Sequence, residues 1–373
     1  MADEGVPGLA PEGLQPLVRR LRWIRDRIPI ESGNYPYVTA RVKAKRALLL
    51  PEGTYGRLLQ MTIPEIARIL GEGDYKTEML ALGTRYSGVD LIEMAMSRNL
   101  AKTYTKIYEF SEGNLRTMIA RYLDRYDLQN IKTIVRGKAY GAKRSEVEED
   151  LVSAGSFSEE FLHELVEAEN LEAVFDSLEG TIYMRALEAM GRRPSEVENW
   201  AEWEDRVSRL YYLDLLASIP PSTDANRLMR TFVEREIDIV NLKTLLRIWA
   251  SEATFEREVF LPGGLEMAPE ALEEMAPMDF EALQKALSAY SFYEDIEADL
   301  DRVQQTGVGV LIRKVEKVHL MQASRYAHLH PLSILPILDY IVRKDREVQN
   351  IRLIARGKES GLPNDVIQSL LVV

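Results

Sequence analysis

The sequence predicts an all-α protein of three homologous helical units, each about 110 residues long, which can arrange as a pseudo-threefold ring. Two observations lead to this fold class. A short polar and aliphatic signature occurs three times at almost constant spacing, and the apolar residues in each copy follow the period of a helix. In addition, no segment alternates convincingly as a β-strand does, and Leu, Glu, Arg and Ala are abundant, which is typical of helices.

The signature consists of an acid, an asparagine three residues later and a basic residue six positions after that. Its members are Asp127, Asn130 and Arg136, then Asp238, Asn241 and Arg247, then Glu347, Asn350 and Arg356. The asparagines are separated by 111 and 109 residues. Two weaker landmarks keep this order and period, namely a helix that leads to Tyr75, Tyr183 or Tyr293 and a turn that contains Gly53, Gly155 or Gly264. A repeat this long can hold its own small core.

The units follow one another along the chain. Residues 1–36 form an extension outside the repeat, and the three predicted domains span residues 37–145, 146–255 and 256–373. Start signals at Ser111 and Ser222 predict long helices, and stop signals at Gly137, Gly357 and the prolines after Ile219 predict their ends. The extension carries a short, arginine-rich amphipathic helix that includes Arg19, Arg20 and Trp23. This helix either contacts an anionic surface or docks on the acidic body of the protein.

The acids and asparagines of the signature are predicted to face inward. A turn of about 100° per residue places Asp127, Asn130, Ile131 and Ile134 on one arc of a helix, with Arg136 directed elsewhere. A buried carboxylate requires a donor, either an arginine or a backbone N–H group of an adjacent helix. Because three dispersed copies would have to perform one chemistry, we interpret these residues as structural and not catalytic.

Composition excludes several classes of protein. The chain has 373 residues and no cysteine, so thiol catalysis and cysteine-ligated metal sites are excluded. Its net charge of −12 disfavours nucleic acid as a partner. The longest stretch without a charged residue, 326–338, contains two prolines and is too short to span a membrane. The N-terminus has no pattern of a secretory signal, so we expect a soluble or peripheral protein.

We find no signature of an active site, a cofactor site or a small-molecule substrate site. Two Glu-x-x-His steps, Glu160 to His163 and Glu316 to His319, have the spacing used by di-metal helical bundles, but they stand at non-equivalent places in the repeat. The segment around Gly357 lacks the first glycine of a phosphate-binding loop. A di-metal enzyme therefore remains only as an alternative hypothesis, and we expect no catalytic, cofactor or metal residue.

One cluster favours a binding surface. Arg41, Lys43, Lys45 and Arg46 place four basic residues within six at the start of the first unit. The cluster is either a contact surface for an acidic partner or lipid headgroups, or an ordinary solvated helix face.

These features together resemble the C subunit of archaeal and bacterial A/V-type ATP synthases, whose eukaryotic counterpart is the d subunit of the V-ATPase. The resemblance rests on the threefold signature, on the segment 37–45 with its alternating basic residues, on the turn 261–264 and on the C-terminal segment 347–358. It covers about residues 35–373 and includes the order and period of the repeat, not only local strings. The extension is not covered.

The resemblance implies a three-domain α-helical protein in the shape of a pseudo-threefold funnel, which is a non-catalytic central-stalk component on the cytoplasmic face of the cell membrane. Such a component would sit on the membrane rotor ring, receive the foot of the central shaft and transmit torque for ATP synthesis or hydrolysis coupled to H⁺ or Na⁺ transport. The implied partners are the rotor ring, the shaft subunits and other ATP synthase subunits. The alternative within the same class is a helical-repeat scaffold of another multi-subunit assembly.

Overall fold

A computed structural model describes residues 33–251 and 257–373. These residues form nineteen α-helices and two short 3₁₀ turns, and none of them belongs to a β-strand. The predicted all-α class is thereby confirmed. The segment with Arg19, Arg20 and Trp23, for which we predicted an arginine-rich helix, lies outside the described residues, as do all residues before Gly33.

Short helices alternate with long hairpins along the chain. The first group is α1 (Tyr35–Arg46), α2 (Glu52–Leu59), α3 (Ile63–Leu70) and α4 (Lys76–Leu82), followed by the hairpin α5 (Gly88–Phe110) and α6 (Gly113–Tyr140). The second is α7 (Arg144–Asp150), α8 (Glu159–Glu167), α9 (Leu171–Ser177) and α10 (Ile182–Glu188), followed by α11 (Trp200–Ser218) and α12 (Asp224–Ser251). The third is α13 (Pro269–Met275), α14 (Phe280–Leu287), α15 (Tyr293–Leu300) and α16 (Val303–Thr306), followed by α17 (Val308–Leu329), α18 (Leu335–Glu359) and the final α19 (Asn364–Leu370).

The predicted helix starts agree with the structure, but two predicted stops are wrong. Helix α6 continues past Gly137, and α18 continues past Gly357. A Cβ atom on Gly137 would lie 2.4 Å from Cγ2 of Val147, and one on Gly357 would lie 2.8 Å from Cγ1 of Ile367. Both glycines therefore serve close packing of a following short helix against the long one. Helix α6 ends instead at Gly141, whose φ of 71° is the left-handed conformation that commonly closes a helix.

The long helices pack in a closed cycle. The second helix of each hairpin contacts the first helix of the next one: α6 packs against α11, α12 against α17, and α18 against α5. Helix α1 also packs against α18, which brings the two ends of the described chain together. Such a cycle is what a ring of three units requires. The threefold symmetry and the domain boundaries stay predictions.

Buried apolar side chains form two clusters in the described part of the chain. The larger cluster joins α1–α12 with the end of α17, α18 and α19, and the smaller one joins the second half of α12 with α13–α16 and the first half of α17. The larger cluster thus extends across the predicted domain boundary at residues 145 and 146. Among residues 33–251 and 257–373, every helix is too short or too polar to cross a bilayer.

Candidate functional site

Each signature asparagine is buried and holds one residue of a neighbouring non-helical segment by two hydrogen bonds. The amide nitrogen of Asn130 donates to the carbonyl of Val152 at 2.8 Å, and the backbone N–H of Val152 donates back at 2.9 Å. Asn241 makes the same pair of bonds with Leu261, at 2.8 Å each. Asn350 makes it with Val372, at 2.8 and 3.2 Å. We call each asparagine, its signature acid and the backbone they hold a clamp.

In the first clamp the acid accepts backbone N–H groups and has no basic partner among the described residues. Asp127 accepts from Ser156 at 2.6 Å and from Phe157 at 3.2 Å. Burial raises the pKa of Asp127 to about 7, and the two N–H donors oppose that rise. The donors lie in a loop and not in an adjacent helix, which corrects part of our expectation.

The second clamp repeats this arrangement. Asp238 accepts from the backbone of Leu265, Glu266 and Met267 at 3.0–3.1 Å. Burial raises the pKa of Asp238 to about 6, with the three N–H donors again acting in the opposite direction. Two of the three signature acids are therefore held by main-chain dipoles alone in the described structure.

The third clamp is assembled from both ends of the chain. Glu347 accepts from the backbone N–H of Leu50 and, at 2.5 Å, from the hydroxyl of Tyr75. Lys344, which is 1% exposed, donates to Glu347 at 3.0 Å and to the hydroxyl oxygen of Tyr75 at 2.9 Å. Because the asparagine of this clamp holds Val372, residues near both ends of the described chain share one buried polar cluster.

The glycine-bearing turns explain why the loops can approach the acids. A Cβ atom on Gly155 would lie 2.3 Å from a carboxylate oxygen of Asp127, and one on Gly264 would lie 2.2 Å from Asp238. Side chains at these positions would displace the loops from the carboxylates. A Cβ atom on Gly53, the third glycine of this landmark, would have no neighbouring atom within 4 Å, so glycine is not needed there for this reason.

The signature arginines link neighbouring hairpins at two of three places. Arg136 of α6 pairs with Glu204 of α11 at 2.5 Å. Arg356 of α18 contacts Glu93 of α5 and pairs with Asp150 at 2.8 Å. Arg247 is exposed and has no ion pair in the described part of the chain, because the period places Arg313 where the other two copies have an acid.

A buried ionic cluster, which we did not predict, lies where the long helices converge. Glu236 of α12 pairs with Arg125 of α6 and accepts from the hydroxyls of Tyr122 at 2.9 Å and Tyr212 at 3.2 Å. Burial alone would raise the pKa of Glu236, but Arg125 holds it below its usual range. Arg125, Glu236 and Asp345 line a cavity of about 580 Å³ that all three signature helices reach. They stand 111 and 109 residues apart, which is the signal that the sequence offered.

The four residues of the basic cluster of α1 differ in their surroundings. The guanidinium of Arg41 stacks on the rings of Tyr37 and Phe110, at 4.8 and 4.2 Å from their centres. Arg46 pairs with the fully buried Asp339 of α18 at 2.5 Å. Burial lowers the pKa of the half-buried Lys45. Lys43 is exposed. Arg46 therefore holds α1 in place, and Arg41, Lys43 and Lys45 remain the candidates for a partner or headgroup contact.

The four residues of the di-metal hypothesis do not converge in the described structure. The carboxylate of Glu316 is occupied by Lys243 and, at 3.1 Å, by Arg346. His319 is partly buried beside the ring of Phe232, and this burial lowers its pKa. Within residues 33–251 and 257–373, the one group of three potential metal ligands is Glu148, His163 and Glu167, two of which are exposed. This group joins neither Glu316 nor His319, so the arrangement gives the bundle enzyme no support.

Comparisons with known proteins show the family of the chain. The family model described as ATP synthase (C/AC39) subunit matches residues 38–370. A protein of Methanococcoides burtonii, named as the C subunit of an A-type ATP synthase, is 39% identical over 92% of this chain and 95% of its own length. Proteins of the same name from Haloferax volcanii and Archaeoglobus fulgidus are 37% and 36% identical over 91% of this chain and over 98% and 96% of their own lengths. The chain belongs to the ATP synthase (C/AC39) subunit family.

Proposed function

We propose that this chain is a non-catalytic central-stalk component of an A-type ATP synthase, in which it links the membrane rotor ring to the central shaft. The observation that carries the proposal is the match, over more than nine tenths of both chains, to proteins named as the C subunit of an A-type ATP synthase. In this role the chain transmits torque between ion movement at the ring and ATP synthesis or hydrolysis in the soluble part of the complex. It would lie peripherally on the cytoplasmic face of the cell membrane.

A torque-transmitting protein must be stiff, and two features of the structure support that requirement. Within the described residues, each hairpin of the closed cycle packs against both of the other hairpins. Buried polar clusters, such as the one around Glu236, join three long helices at one carboxylate. Largely buried charges paired in this way resist rearrangement, because separating them would leave an ion without its partner where water solvates it only in part.

The cavity between the signature helices is the described feature best suited to the foot of the shaft. Its lining combines cationic, anionic and apolar side chains, among them Lys132, Lys243, Asp345 and Val348. A mixed lining of this kind suits a polar, well-fitted contact with another protein. We propose that shaft side chains enter this cavity.

The proposal is tested by recovering the protein from solubilised membranes of the source cells and analysing the complex by native mass spectrometry. We expect shaft subunits and the membrane ring to be recovered with one copy of this chain. Recovery of the chain alone, under conditions in which the ATP synthase stays intact, would contradict the proposal and favour the general scaffold.

The remaining basic residues of α1 give a second test. Replacing Arg41, Lys43 and Lys45 by glutamine should weaken binding to the ring or to anionic vesicles and flatten its dependence on salt. The exposed Arg192, Arg193 and Lys143, replaced in the same way, are the control.

The extension with Arg19, Arg20 and Trp23 is tested by flotation with anionic liposomes. The full chain should float to a greater extent than a chain without residues 1–32. Equal flotation of the two would exclude a membrane contact of the extension.

A further inference from the structure

A groove opens between the first half of α12 and the end of α17, away from the clamps and the central cavity. Its volume is about 390 Å³. Leu228 and Phe232 of α12 form one wall, and Tyr326 of α17 and Leu335 of α18 form the other. The groove is therefore a seam between two hairpins whose walls are mainly apolar.

One cation beside this groove has no counter-charge within the described part of the chain. The guanidinium of Arg235 lies 4.8 Å from the ring centre of Tyr326, and its buried Nε atom has no hydrogen-bond acceptor among the described residues. Arg227, which also lines the groove, is paired with Asp224. Any partner that covers the groove must offer an acceptor to Arg235, because a buried donor left unpaired costs free energy.

Exposed apolar side chains extend the groove onto the surface. Leu329 and Leu332, at the turn between α17 and α18, are 63% and 65% exposed, and His330 between them lines the groove. At the other side, Asn114 donates to Asn226 at 2.9 Å and brings the start of α6 beside the start of α12. An apolar groove continuous with an exposed apolar turn is a feature of protein interaction sites.

We propose that this groove binds an amphipathic helix of a neighbouring subunit, with apolar side chains between the groove walls and one carboxylate on Arg235. A helix fits because its apolar face fills a concave seam, whereas a bilayer surface would cover Leu332 and leave the groove empty. The carboxylate supplies the acceptor that the described chain does not. The inference rests on the proposed function, since the neighbouring subunit belongs to the same ATP synthase.

The first experiment compares variants within the assembled ATP synthase. Leu332→Asp places a charge on the exposed edge of the groove, where it should not disturb folding, and Arg235→Gln removes the cation. We expect each to lower retention of the chain in the complex about tenfold relative to wild type. Leu80→Asp, at a leucine of α4 that is 68% exposed, is the matched control and should leave retention unchanged. Thermal unfolding of each purified variant separates lost binding from lost folding.

The second experiment identifies the occupant. A photo-reactive phenylalanine analogue at position 332 should crosslink to an acidic amphipathic segment of another subunit, and the same group at position 80 should not crosslink to that segment. Crosslinks to lipid alone, or equal retention of Leu332→Asp and wild type, would overturn the inference while leaving the proposed function intact. If wild-type chain is not retained in the complex, the proposed function fails and the inference fails with it.

Discussion

At the scale of single residues, the signature is explained by the need of buried loop backbone for hydrogen-bond partners. An asparagine side chain carries both donor and acceptor groups, so it pairs with both polar groups of a backbone residue as another strand would. The three asparagines do this with residues 20–22 positions later in the chain. The adjacent acid then accepts further N–H groups of the same loop in two clamps. Asn and acid together satisfy backbone groups that burial would otherwise leave unpaired.

Replacing a clamp asparagine should be costly. Asn130→Ala leaves the N–H and C=O of Val152 buried without partners, and we expect a loss of about 2–4 kcal/mol in the free energy of unfolding. Asn241→Ala should cost a similar amount. Asn170, an exposed residue that caps α9 through the N–H of Ala173, is the control, and Asn170→Ala should cost about 1 kcal/mol. Denaturant titration measures all three, and equal losses at Asn130 and Asn170 would contradict the clamp.

The acid of the first clamp should make stability depend on pH. The pKa of Asp127 is raised to about 7 in the folded chain, so between about pH 4 and 7 the folded state binds more protons than the unfolded state. Stability contributed by this group is therefore present at low pH, falls as the pH rises through that window and is constant above it. Asp127→Asn removes the titration and should flatten this part of the curve. Asp365→Asn, at an exposed position of α19, should leave the curve unchanged.

At the scale of helices and loops, glycines determine where short helices can pack closely on long ones. Glycines at Gly137 and Gly357 let the short helices α7 and α19 pack on α6 and α18. Sequence patterns predicted the starts of α6 and α12 correctly but misread these glycines as helix ends, because a glycine signals both a stop and a close contact. A glycine at a close contact is distinguished from a glycine at a helix end only by the tertiary structure. Here a branched side chain ten residues later in the chain packs against each glycine.

The loop glycines provide a test with an internal control. Gly155→Ala and Gly264→Ala place a Cβ atom 2.2–2.3 Å from a clamp carboxylate, so the loop must move and the hydrogen bonds to the acid must lengthen. We expect each to destabilise the protein by about 1–3 kcal/mol. Gly53→Ala, within α2 and without a neighbouring atom, should be neutral or stabilise by up to about 1 kcal/mol. Thermal unfolding compares the three, and similar shifts for all of them would refute this account of the turns.

At the scale of the whole molecule, the sequence predicted the helical class and the threefold signature, but not how the ends meet. The inward direction of Asp127 and Asn130 followed from helical periodicity. The partners of these two residues could not be predicted in this way. Val152, Ser156 and Phe157 contribute only backbone groups to the hydrogen bonds, and backbone groups leave no pattern of residue types in the sequence. For the third clamp, the sequence indicated Glu347 and Asn350 but not their partners, since Leu50 and Val372 are brought to α18 from opposite ends of the described chain.

The ion pair between α1 and α18 should decide how firmly the first helix is held on the cycle of long helices. Arg46→Met retains packing but removes the bond to the buried Asp339, and we expect it to weaken the docking of α1 by about 1–3 kcal/mol. Amide hydrogen exchange should then accelerate in α1 and α2 and stay unchanged in α13–α15, which lie in the other apolar cluster. Arg185→Met, which removes an exposed pair with Asp214, should change neither region. Unaltered exchange in α1 would mean that the apolar contacts alone hold α1 on α18. Faster exchange would show that an ion pair between distant parts of the chain keeps the first helix in place.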